Sequence, residues 1–402
     1  MVKRILIMML LTGSLFGQNS YYSSYGFGLS SPSIPVRNLA LGGTGLAIPD
    51  SISLNLLNPA LWNGFVTTSL QGQVGTSTVS ADPGSPGLVL TQFLGFSFKL
   101  PIGKKIGVAM GIAPVTRMTA EKSFSDSASF GSSTVPYTSD MDVKGGISQF
   151  FFGGGYRVNP QLSLGLKTQI YFGNYLTKMA TDLDTDGGMN SYFRKYTIIQ
   201  GTQLGLGAYW VSKDRKMEVG TTIDHRLKFD SYNNYDFYFG PDSTTKKKNI
   251  SYPSTFQLGI RRKMTGSLAF SVDISYSLVP KSLYKDFYVI EISDAQNPFY
   301  AGIGFEKATA PGPGVSTWNQ MALRAGAFYK SESIHPSGGL QETGISVGVS
   351  LPFNRHLNRI DLAIVASIRD GFLNETVGKE KVLSFYAGIT TGELWFRKFK
   401  RF

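Results

Sequence analysis

Apolar and polar residues alternate with a period of two along most of this chain, and that period excludes a helical fold. From Ser267 to Leu278 one face carries Leu268, Phe270, Val272, Ile274, Tyr276 and Leu278, and the other carries Ser267, Ala269, Ser271, Asp273, Ser275 and Ser277. The same separation sets Leu162, Leu164, Leu166, Ile170 and Phe172 against Ser163, Gly165, Lys167, Gln169 and Tyr171. It returns in Leu204 to Trp210, Ile345 to Leu351, Ile360 to Ile368 and Leu383 to Ile389. Each run is close to the about 9 to 11 residues that a tilted membrane strand needs.

A soluble β-sandwich also alternates, with its apolar face turned to a core. Three features favour a transmembrane barrel. Short connections (Pro101 to Lys105, Asn159 to Gln161, Ser212 to Lys216, Met264 to Gly266) alternate with long polar stretches such as Lys122 to Asp140 and Ser231 to Asn249, as periplasmic turns alternate with external loops. Tyr209, Trp210, Phe229, Tyr232, Trp395 and Phe396 stand at strand ends, where an interfacial girdle forms. The polar faces are rich in Gly and Ser, which suits a crowded lumen better than a solvated surface.

The pattern predicts an all-β, antiparallel transmembrane barrel of 14 strands: Phe65–Val79, Leu88–Leu100, Ile106–Ala120, Met141–Val158, Leu162–Ala180, Tyr192–Val211, Met217–Asp230, Ser251–Arg262, Ser267–Val279, one within Phe287–Lys307, Asn319–Lys330, Glu342–Phe353, Ile360–Gly371 and Val382–Trp395. Even strand numbers are the rule for bacterial single-chain barrels.

Composition agrees with a surface that meets something other than water. Aromatic residues make up 13% of the 402 residues and glycine accounts for 46, while charged residues reach only 16%, against about 25% typically. Lys3, Arg4 and the apolar run Ile5 to Phe16 read as an export signal, too short for a helical span, with cleavage expected after Gly17. The chain has no cysteine, which excludes disulfides, a lipidated Cys and thiolate metal sites. The 39 basic and 27 acidic residues give +12, a balance that suits anionic lipid or lipopolysaccharide. The charges are too dispersed for a nucleic-acid site; the one tight run, Lys246 to Lys248, sits beside turn residues.

Ahead of the first strand lies a segment that does not alternate: Arg37-Asn38-Leu39-Ala40-Leu41-Gly42-Gly43-Thr44-Gly45-Leu46-Ala47, continuing to Leu57-Asn58-Pro59-Ala60-Leu61. With the third strand, Gly107-Val108-Ala109-Met110-Gly111-Ile112-Ala113-Pro114-Val115, and with Leu323-Arg324-Ala325-Gly326-Ala327-Phe328-Tyr329, it resembles the FadL/OMPP1/TodX long-chain fatty-acid transporter family and its PorV relatives in type IX secretion. The resemblance implies a signal peptide (1–17), a hatch inside the barrel (18–62), the barrel (63–396) and a periplasmic tail (397–402). It makes Gly42, Gly43, Gly45, Asn58, Pro59 and Ala60 hatch residues. The residues suit that role: the glycines permit conformations closed to others, Asp50 and Ser51 suit a cap on a short helix over Ile52 to Leu57, and Pro59 would end it. Pro114 removes a ladder donor in mid-strand, so the strand is expected to bend or bulge there, as Gly107 and Gly111 allow; the resemblance implies that Gly107, Gly111 and Pro114 form a lateral gate, the alternative being a bulge with only a structural role.

Further candidates are charges on inner faces: Lys167, Asp224, Arg226, Asp273, Arg324, Asp361 and Arg369, with Lys228 and Asp230 on the strand of Asp224. They either pair and anchor the hatch or hold an acidic head group. Tyr235, Phe237 and Phe239 form an external aromatic rim, either to collect apolar solutes or as girdle packing. Asp182 to Gly188 opens like a calcium loop but has Phe193 at the closing position, and His225, His335 and His356 accompany no serine elbow. Neither a metal, a cofactor nor an enzymatic site is expected. The expected function is passive uptake of hydrophobic small molecules, long-chain fatty acids or aromatic hydrocarbons, by a monomer in the outer membrane. The alternative is a PorV-like adaptor of type IX secretion.

Overall fold

The computed structural model describes residues 20–24, 27–64, 67–81, 87–130, 133–183, 191–238, 240–247, 250, 252–264, 267–280, 296–308, 317–335, 338–353, 357–371 and 378–393. The expected signal peptide and tail, Phe239, His356 and most of the Asp182–Gly188 loop lie outside the described residues.

Fourteen strands form the barrel: β1 (Thr68–Ser80), β2 (Leu88–Ile102), β3 (Ile106–Phe130), β4 (Ser133–Arg157), β5 (Leu162–Leu183), β6 (Ser191–Val211), β7 (Met217–Phe237), β8 (Ser254–Lys263), β9 (Leu268–Leu278), β10 (Phe299–Lys307), β11 (Ala322–His335), β12 (Gly338–Phe353), β13 (Asn358–Gly371) and β14 (Glu380–Glu393). Each is antiparallel to the next, and β14 returns to β1 from Lys381↔Ser80 to Glu393↔Thr68. The ring is thereby closed, which satisfies backbone groups that lipid cannot. Two short stretches join it from off the ring: Leu29–Ser30 pairs with β3, and Ser243–Lys247 with β7.

The faces are inverted relative to a soluble sheet. Leu164, Leu166, Ile170 and Phe172 are exposed outward, while Ser163, Lys167, Gln169 and Tyr171 between them are buried. On β9, Leu268, Ile274 and Tyr276 are exposed and Ser271 and Asp273 buried.

The wall is uneven in height. β3 to β7 run 21 to 25 residues, whereas β8 to β10 run 9 to 11. Roughly ten extra residues at about 3.3 Å each carry this side about 30 Å further out. The expected loops Lys122–Asp140 and Ser231–Asn249 are therefore largely strand. Their polar sequence hid this, because a strand above the lipid needs no apolar face.

A bulge at Leu227 shifts the phase of β7, since Lys228 pairs Thr202 and Arg226 pairs Gln203. It turns Phe229 inward, 1% exposed, instead of into the girdle, and Lys228 outward, 65% exposed at its side chain. No helix covers Ile52 to Leu57. Asp50 still caps the turn, accepting from the Ile52 and Ser53 amides at 2.8 and 3.2 Å. Pro59 begins a 3-10 turn over Pro59–Gly64 instead of ending a helix, and Asn58 caps it through the Ala60 amide at 2.9 Å.

Candidate functional site

Described residues between 20 and 63 bond to groups on strands around the ring. The Asn58 amide donates to Ala208 O on β6 (3.0 Å), and the Gln73 side chain of β1 accepts from Val36 N (2.7 Å). Asp273 of β9 accepts from the Gly45 and Leu46 amides at 2.6 and 2.9 Å, and the Glu380 carboxylate of β14 accepts from Ser20 Oγ and Tyr21 N. Gly42 and Gly43 take φ of +62° and +82°, where side chains are strained. Gly45 is required for space, since a Cβ there would meet the Asn38 amide. Gly165, Gly207, Gly220 and Gly326 on the wall likewise leave room for the backbone or side chains of Pro59, Asn58, Leu46 and Gly42.

Ion pairs fasten the segment towards the short-turn end. Glu306 lies 2.9 Å from each of Arg37, Arg261 and Arg324, and Asp50 lies 2.8 Å from Arg37 and 2.6 Å from Arg359. All these side chains are buried. Burial alone would raise the Asp50 carboxyl, but Arg359 and Arg37 hold it well below the usual carboxylate range. Arg359 also reaches Asp361 (2.9 Å), and Lys99 donates to Ser51 O (2.6 Å). Of the charges named from sequence, Lys167 pairs Asp224 (3.1 Å), Arg369 pairs Glu342 (3.2 Å) and Arg226 donates to Ile250 O. They are engaged within the protein. The ion pairing of Arg37, Asp50, Glu306 and Arg359 is not legible in the sequence, because Arg37 and Asp50, named there only in the motif and as a cap, sit where nothing alternates and Glu306 lies on the least patterned strand.

The ladder between β2 and β3 is incomplete. It runs from Ile102↔Ile106 to Phe96↔Ile112 and stops. Bulges flank the stop on both strands, Leu94 opposite β1 and Val115 opposite β4. Pro114 explains it. Its carbonyl accepts from Ser33 Oγ on the β2 side, and in an antiparallel strand a residue's N–H and C=O share a side. The donor that proline lacks is thus the next one β2 would have met. Gly107 and Gly111 do not host the irregularity: they pair regularly with Pro101 and Ser97. Gly95 on β2, with φ +142°, stands at the stop instead.

The N-terminal segment takes the vacated edge. Leu29 and Ser30 pair with Arg117 and Thr116, and Ser31 N donates to Val115 O at 2.8 Å. On the other side, Ser30 to Ile34 line a lumen cavity of about 420 Å³, together with Leu39, Leu46, Phe328 and Tyr386. Ser30 and Ser31 thus both bond to the vacated edge and line the cavity.

Inner apolar residues ascend the tall wall. Phe229 stacks on Tyr252 at 4.1 Å and meets Tyr171 at 5.2 Å, with Ile199, Tyr175, Ile147 and Val143 in the same cluster. Higher up, Phe237, Phe193, Met179 and Met141 oppose one another across β7 to β4, and opposed residues share a face. Phe193 and Phe237 are 5.4 Å apart, with Tyr235 beside Phe237 at 6.4 Å. Tyr235 and Phe237 of the expected rim therefore lie on the inner side of the wall. His225 lies on the outer face beside Ser254.

A family model described as BamG matches residues 1–401. The chain belongs to the BamG family. Members of its fold include a FadL homologue of Pseudomonas aeruginosa (13% identity, TM-score 0.64, 91% of this chain and 99% of that one). The toluene transporter TbuX of Ralstonia pickettii (15%, 0.55, 92% and 99%) and TodX of Pseudomonas putida (14%, 0.51, 92% and 100%) are also similar. No curated protein matches in sequence. The fold is thus the FadL/TodX barrel of the outer membrane, where this family member resides.

Proposed function

We propose that the chain is a passive channel for hydrophobic small molecules, long-chain fatty acids or aromatic hydrocarbons, closed by residues 18–62 as a hatch and emptied sideways between β2 and β3. The observation that carries this is the β2–β3 ladder that ends at Phe96 and Ile112, its edge held by one strip of chain in front of a partly apolar cavity. Solute collects on Phe193, Tyr235 and Phe237, descends the apolar side of the tall wall, and leaves past Pro114 without meeting water. Partition into successive apolar sites supplies the driving force, about 0.8 kcal/mol per CH₂ buried, and no cofactor is needed. Toluene carriage by TbuX and TodX is in keeping with this reading. Uptake of labelled oleate and labelled toluene by cells with and without the chain tests it. A gain for either solute is expected, and none for both contradicts it.

A second reading, a PorV-like adaptor, draws on the outer edge of β3. The ladder with β2 ends at Ile112 while β3 runs on to Phe130, and a strand edge beyond its ladder accepts an extended peptide. Recovery of exported proteins on the purified chain, without solute uptake, would favour it.

A further inference from the structure

The +12 charge is not spread evenly over the barrel. At the short-turn end, exposed cations recur from turn to turn: Lys104 and Lys105 between β2 and β3, Lys213 and Lys216 between β6 and β7, and Arg262 beside the β8–β9 turn. Among the described residues the exposed acids of this end are Asp214 and Glu393, and Asp214 is turned into its own loop, accepting from Lys216 N at 3.1 Å. The opposite end is balanced by pairs: Lys379 with Asp370 at 2.8 Å, Lys144 with Asp142 at 3.0 Å and Arg194 with Asp236 at 3.8 Å.

The cations sit where the outward apolar band ends. Ile102, Ile106, Trp210 and Met217, all 41 to 50% exposed, adjoin them in sequence, and Lys307 lies over the Trp318 ring at 5.6 Å. A long cationic side chain beside interfacial apolar and aromatic groups lays its stem on the hydrocarbon boundary and its charge among phosphates. Short turns mark this end as periplasmic.

We propose that this arc of cations binds the headgroups of anionic phospholipids in the periplasmic leaflet of the outer membrane. Its spread over three turns along the arc from β2 to β9, each next to the lipid-facing band, matches headgroups lying against that arc. The arc thereby fixes the depth of the barrel and recruits lipid to the periplasmic side of the β2–β3 wall.

The test uses the full chain in non-ionic detergent, with bound lipid counted by native mass spectrometry as phosphatidylglycerol or phosphatidylcholine is added. Phosphatidylglycerol should bind about tenfold more tightly, a preference lost in high salt. Combined replacement of Lys104, Lys105, Lys213, Lys216 and Arg262 by Gln should abolish the preference while heat-modifiable migration on gels is retained. Should that variant fail to fold, K104Q with K105Q should reduce the preference in part. Equal binding of the two lipids to the unaltered chain overturns the proposal, as does an undiminished preference in either folded variant. Loss of a co-purifying acidic protein with the lipid preference intact would make the arc a protein dock and also overturn it.

Discussion

Arg37 and Glu306 stand 269 residues apart in the chain and 2.9 Å apart in the barrel, joining the N-terminal segment to strand β10. Glu306 is also the shared partner of Arg261 and Arg324. Removing its charge would leave three buried guanidiniums with one fewer counter-ion, and such a loss costs about 3 to 5 kcal/mol.

Glu306→Gln is therefore expected to unseat the N-terminal segment before it unfolds the ring, whose ladder it leaves intact. Protease cleavage within residues 20–63 and increased conductance in planar bilayers should appear while the folded migration on gels persists. A tight, protease-resistant variant would show that the ion pairs do not hold the segment.

The pH dependence has a definite sign. Because Arg359 and Arg37 depress the Asp50 carboxyl in the folded state, its contribution is fully present above the unfolded value of about 3.9 and is lost only as pH falls through the lower folded value. Conductance should stay closed from pH 7 to about pH 4. Asp50→Asn should be leaky throughout, so leakage of the unaltered chain on mild acidification contradicts the assignment.

Phe193→Ser with Phe237→Ser removes the pair at the top of the tall wall, 5.4 Å apart. Each buried aromatic contact is worth about 0.5 to 1.5 kcal/mol beyond area, so apolar-ligand affinity should fall by roughly threefold to tenfold or more. Fluorescence titration measures it. Unchanged affinity would reduce these rings to packing of the wall.

Pro114→Val supplies the missing N–H on the β2 side. The ladder should extend past Ile112, with slower hydrogen exchange at β2 residues before Gly95 and slower solute uptake, while external binding is retained. Uptake at the original rate by a folded variant would place the exit elsewhere.

The ring was legible because lipid on one side and a filled lumen on the other impose period two on nearly every strand, as Leu268 to Leu278 shows. Pro114 was legible for a related reason: proline has a fixed cost within a ladder. Phe229 was misplaced since one extra residue at Leu227 inverts every face beyond it, and bulges leave no mark in a hydropathy pattern. The height of β3 to β7 was hidden by polar sequence above the lipid. Arg37, Asp50 and Glu306 acquire their roles from partners on distant strands, so no local spacing announces them; neither do Leu94 and Gly95, which matter only because Pro114 lies opposite.

In the proposed channel, the strip Leu29 to Ser33 closes a lateral exit between β2 and β3. Ser30 and Thr116 are directly opposed across that strip, opposed residues are near enough for a disulfide, and the chain contains no other cysteine. Uptake of a labelled hydrophobic solute should therefore be measured in a Ser30→Cys, Thr116→Cys variant, oxidised and then reduced. The account predicts that oxidation abolishes uptake, that reduction restores it, and that ligand still binds at the outer side in both states. Equal uptake by the oxidised and reduced protein would contradict it.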